Sequence, residues 1–115
     1  MNIDSIIKDI QVGETPDATQ PIHMELSGFR TDPATGRVVY RVVLSGPMTT
    51  NKERTDASLF GAIRMGFAGL RQLLRHIQRA NPNLKFYDQI DGALVEQSVD
   101  DLFWTHDCVP ERTGG

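Results

Sequence analysis

A single cysteine, Cys108, stands in a chain of 115 residues. No internal disulfide can form, which excludes the small disulfide-stapled secreted folds. Long apolar runs are missing too. The best candidates are broken by Arg64 and Arg71, whereas a membrane-spanning helix needs roughly 20 consecutive apolar residues. The opening MNIDSIIKDI has neither the basic segment nor the long apolar segment of a secretory signal. A cytoplasmic protein without membrane association is the expectation from these absences. Phosphate-binding glycine loops are lacking as well: Gly61, Gly66 and Gly69 fall inside a helical pattern, and no Lys-Ser or Lys-Thr pair follows them. No Cys-x-x-Cys or His-x-x-x-His spacing occurs among Cys108, His23, His76 and His106, so neither a metal nor a cofactor is expected. The run His106-Asp107-Cys108 has residue types used in nucleophilic catalysis, but adjacent residues rarely converge on one atom. No enzymatic site is expected there.

What remains is a chain of single-domain size with 39% hydrophobic residues, enough for one core. Its net charge of −3 is strongly segregated. Residues 1–36 carry −4, residues 37–85 carry +7, and residues 86–115 carry −6. The ends can neutralise the middle by folding around it, by dimerising head to tail, or the middle can face an anionic partner.

Ile3, Ile6, Ile7 and Ile10 have the spacing of a short amphipathic helix, and VGETPDATQP reads as a linker. Residues 1–21 are therefore expected to be a helix plus linker, 22–105 the core domain, and 106–115 a frayed tail. Residues 22–31 alternate until Gly28, which marks a bulge. Asp32-Pro33-Ala34-Thr35-Gly36 is a turn, and RVVYRVVLS is the returning strand, with valines on both sides that predict cover on both faces. Residues 47–54 read as a polar loop, with Thr55 or Asp56 capping a helix over Ala57–Ala80 that Asn81-Pro82 ends. Beyond it, LKFYDQI and the Asp91-Gly92 turn predict a hairpin, with a helix over the following residues as the competing reading. The fold class expected is α+β: an antiparallel sheet of three to four strands, one long helix on one face, and a short N-terminal helix.

Two features of the long helix carry the functional expectations. Ala62, Gly66 and Gly69 line one edge of its apolar stripe, where a close backbone approach would offset the helix cost of glycine; packing inside the monomer and a homodimer contact both fit. Arg64, Arg71, Arg75 and Arg79 form a basic ridge, with Arg54 and Lys52 just upstream. Arginine forks grip carboxylates and phosphates. The first expectation is a small non-catalytic interaction module that meets a protein with an acidic surface. Small inhibitors, immunity-type and anti-defence proteins share this build by analogy. The alternative is an accessory protein that binds nucleic acid, weakened by the acidic net charge and by the shortage of aromatics near the ridge.

Overall fold

The computed structural model describes residues 5–103. Its elements run β1 (Ser5–Gly13), β2 (Thr19–Thr31), β3 (Val38–Ser45), β4 (Thr49–Asp56), α1 (Leu59–Ala80), β5 (Lys85–Ile90), β6 (Ala93–Gln97) and α2 (Val99–Leu102). The strands form one antiparallel sheet in the order β4-β3-β2-β1-β5-β6. The architecture is thus α+β with an antiparallel sheet and one long helix, but the sheet has six strands, not three to four. Among the described residues, no helix is long and apolar enough to cross a membrane.

Two segments account for the extra strands. The N-terminal helix expected from the isoleucine spacing is instead β1, inside the sheet between β2 and β5. The isoleucines satisfy a second period as well. Ile6, Ile10 and Val12 lie on one face of a strand, opposite Leu26, Ile22 and Gln20 of β2. β-Branched side chains are stiff and favour strands, and burial of Ile10 and Val12 in the core decides the matter. The linker shrinks to the turn after Gly13, where Ala18 N–H donates to the Thr15 carbonyl at 3.3 Å. The second segment is the polar loop at residues 47–54, most of which is the edge strand β4. An edge strand needs little apolar side chain, because it is paired along one side only and can stay wet.

The two turns follow their chemistry. Asp32 accepts from Ala34 N–H at 2.9 Å and from Thr35 Oγ1 at 3.2 Å, while Gly36 adopts a φ of 73°. Register shifts between Ser27 and Arg30, around Gly28, as the bulge reading requires. Asp91 and Gly92 have φ values of 51° and 80°, the left-handed pair of a two-residue hairpin turn, and Ile90 pairs with Ala93. The hairpin is therefore the observed form, and the helix reading holds only for the short α2 that follows it.

Helix α1 is capped by Ser58, whose hydroxyl accepts from Gly61 N–H at 3.0 Å. Thr55 and Asp56, the expected caps, belong to β4. Because β4 lies at one edge and β5 beyond β1, α1 must cross β3, β2 and β1 to connect them. Its buried residues Leu70, Leu74 and Ile77 enter a core with Met24, Leu26, Val42, Leu44 and Phe86, each worth roughly 1.5–3 kcal/mol on burial. Val99 and Leu102 of α2 join the same core. The other face of β3 was expected to be covered. It is covered only in part: Val39 is buried there, Val43 is half-buried and Arg41 is exposed.

Candidate functional site

Strand register fixes which side chains of β4 share the helix side of the sheet. Thr50, Lys52 and Arg54 pair with Leu44, Val42 and Tyr40 of β3, all three core residues. Alternation along the strand therefore turns Thr50, Lys52 and Arg54 toward α1. At this edge the helix stands away from the sheet, and an open groove of about 630 Å³ runs between them. Val42, Met48 and Leu73 supply its apolar lining, and Thr50 and Gln72 its neutral polar groups. The cations are Lys52 and Arg54 from β4 with Arg75 and Arg79 from α1, and His76 sits among them. Among the described residues, no carboxylate lines the groove.

Helical spacing explains the contribution of α1. Gln72, Arg75, His76 and Arg79 follow the i, i+3, i+4, i+7 rule, so they project from one flank. Arg64 and Arg71 do not line the groove; at about 100° per residue they fall on the flank away from Gly69 and His76. Of the expected arginine ridge, Arg75 and Arg79 line the groove with Arg54 and Lys52, while Arg64 and Arg71 lie outside its lining, on the flank that Arg75 borders.

The cations differ in what holds them. Arg75 Nη2 donates to Asp100 Oδ1 of α2. Lys52, Arg54 and Arg79 have no carboxylate within ion-pair distance among the described residues. Arg54 lies against α1 at Gly69: a Cβ there would stand 3.4 Å from Arg54 Nη1. The bare helix backbone gives the guanidinium its berth. The neighbouring small residues have a different role. Ala62, Gly66 and Gly69 are all buried, and a Cβ on Gly66 would approach Leu26 Cδ1 to 2.6 Å. The small-residue edge thus faces the sheet of its own chain.

Other titratable groups lie on the opposite face, in the core or at the β1–β5 junction. His23 Nδ1 is 2.6 Å from Asp9 Oδ1, and its Nε2 is 3.5 Å from Glu25 Oε1. The bond to Asp9 is the main reason its pKa is raised above the ordinary 6.5, against a smaller opposing effect of burial. Burial likewise raises the Tyr40 hydroxyl above 10.0; its ring stacks on Phe29 at a centroid distance of 5.8 Å. Lys8 Nζ lies 2.7 Å from Asp88 Oδ2. No group of three His, Cys, Asp or Glu side chains is placed to hold a metal among the described residues. His106 and Cys108 lie outside those residues.

Reading the sequence from one element at a time missed the groove's second wall. Lys52 and Arg54 read as loop cations upstream of the ridge, His76 enters only as a candidate metal ligand, and Gln72 and Met48 carry no reading of their own. The usable signal is the alternation of Thr50, Lys52 and Arg54 with Asn51 and Glu53 in a stretch bounded by Thr49 and Thr55, which places both cations on one strand face. Compared with family models, curated proteins and solved structures, the chain matches none of them.

Proposed function

We propose that the protein is a small non-catalytic interaction module that holds an acidic segment of a partner protein between β4 and α1, and so occupies that partner's surface. One observation carries this reading: Lys52, Arg54, Arg75 and Arg79 line a single open groove to which no carboxylate among the described residues contributes. Charges of one sign in a cleft focus the field and raise the local concentration of an oppositely charged partner. Three of the four have no competing acid among the described residues, so a ligand carboxylate displaces water and no internal ion pair at those positions.

The lining favours protein over nucleic acid. Val42, Met48 and Leu73 offer a place for an aliphatic side chain between carboxylates. No Phe, Tyr or Trp ring among the described residues lines the groove, so a base would lack the usual stacking platform of single-strand binders there.

The test is equilibrium binding by fluorescence anisotropy, with labelled hexaglutamate and with single-stranded oligothymidylate of equal charge. Wild type and a Lys52→Glu, Arg79→Glu variant are compared, after circular dichroism confirms that both are folded. Hexaglutamate is expected to bind wild type at least about tenfold more tightly than the variant, a loss of ~1.4 kcal/mol. Equal affinity for both proteins would remove the groove from the function. Tighter binding of oligothymidylate than of hexaglutamate would replace the acidic-protein reading with nucleic-acid binding.

A further inference from the structure

β4 is an edge strand with an unusually open edge. Its inner side pairs with β3 in unbroken register from Val38↔Asp56 to Ser45↔Thr49. Among the described residues, no strand pairs with its outer side. All eight residues, TTNKERTD, lack proline, and no bulge interrupts the ladder. A regular row of backbone N–H and C=O groups therefore faces outward. Proteins normally blunt such a row with short length, proline, a bulge, a cover or charge. β4 uses charge, and on the groove side that charge has one sign at Lys52 and Arg54.

We propose that the outer edge of β4 receives an extended acidic segment of a partner protein as an added strand. The segment's backbone bonds to β4, and its alternate carboxylates turn into the basic groove. The inference rests on the groove's being the acid-binding site and specifies how the acid is presented. Residues two apart on a strand are separated by about 6.6–6.8 Å and point the same way. Lys52 and Arg54 have that spacing, so carboxylates at every second position of an added strand face them in turn, with Arg75 and Arg79 of α1 closing from the other wall. Main-chain bonds supply affinity in this mode, and alternate side chains supply specificity. The edge charge then acts as a filter. A second copy of β4 would bring another Lys52 and Arg54 to the same cationic groove, whereas an acidic strand meets complementary charge.

The test uses the full chain, 15N-labelled, with a peptide of four Glu-Thr repeats, matched to the eight residues of β4. A block isomer with four Glu followed by four Thr has the same composition without the alternation. Native-state hydrogen exchange is read along β4, with and without saturating peptide. The amides of β4 that do not bond to β3 are expected to slow by at least about tenfold with the alternating peptide. The block isomer is expected to bind more weakly. If the alternating peptide binds, and Lys52→Glu with Arg79→Glu abolishes the binding, but β4 exchange stays unchanged, strand addition is overturned and the acid-binding groove stands. If neither peptide binds, both readings fall together.

Discussion

Glycine in a helix interior costs about 0.8–1 kcal/mol relative to alanine, yet α1 buries both Gly66 and Gly69 along one edge. Their neighbours differ, and so do the consequences of filling them. At Gly66 the helix presses on Leu26, which is fully buried and has no room to retreat. At Gly69 the nearest group is the exposed Arg54 guanidinium, 3.4 Å from where a Cβ would stand and able to move into solvent. Gly69→Ala should therefore raise stability by up to about 1 kcal/mol while weakening hexaglutamate binding, because Arg54 loses its berth. Chemical denaturation and anisotropy measure the two effects; a stabilised variant with unaltered binding would mean that Arg54 does not depend on the helix backbone. His23 gives a second residue-level prediction. Its pKa is raised in the folded state, chiefly by Asp9. It therefore contributes stability that is fully present below about pH 6.5, the ordinary value, and is lost as pH rises through the raised one. NMR titration of the His23 ring should give a pKa above 6.5, and Asp9→Asn should bring it down.

The elements differ in how openly the sequence declares them. α1 was legible from its stripe of Leu70, Leu74 and Ile77 and from the Asn81-Pro82 stop, because burial on one side of a long helix leaves a strong period. The β2–β3 and β5–β6 hairpins were legible from their turns. β1 was not, since Ile6 and Ile10 fit a helical and a strand period equally well, and only its pairing with β2 and with distant β5 separates the two. The pairing with β5 is short: Gln11–Gly13 meet Lys85–Tyr87 and no more. Where the strands part, Lys8 and Asp88 form the 2.7 Å ion pair across the junction. Asp88 is only 6% exposed, so Lys8→Met would strand its carboxylate. A cost of about 2–3 kcal/mol is expected, below the 3–5 of a fully buried pair because Lys8 reaches solvent. Urea denaturation measures it, and Lys8→Met combined with Asp88→Asn should recover part of the loss. The groove was half legible for the same reason as β1. The arginines of α1 showed in its periodicity, but the partner wall needed the position of β4 at the sheet edge, a property of the whole sheet.

Across the whole molecule, the charge segregation of the sequence resolves into paired and unpaired regions. Acids of the C-terminal third meet cations elsewhere, through Asp88 with Lys8, Glu96 with Lys85 and Asp100 with Arg75. Glu53 faces Arg30 and Arg41 on the outer face of the sheet. Lys52, Arg54 and Arg79 keep their charge toward the groove. Asp100 competes with any acidic ligand for Arg75, so Asp100→Asn should tighten hexaglutamate binding. An exposed ion pair is worth about 0.2–1 kcal/mol, which corresponds to a gain of up to about fivefold. Unchanged affinity would place Arg75 outside the binding contact. The central claim is that acid is held by this one groove and not by basic charge at large. It is tested most directly by titrating the 15N-labelled protein with hexaglutamate and mapping amide shifts. The account predicts saturable shifts at Thr50, Lys52, Arg54, Gln72, His76 and Arg79, with Ser27, His23 and Glu25 on the opposite face unmoved. Shifts spread evenly over Arg37, Arg64 and Arg71 as well, or absent from the groove, would contradict it.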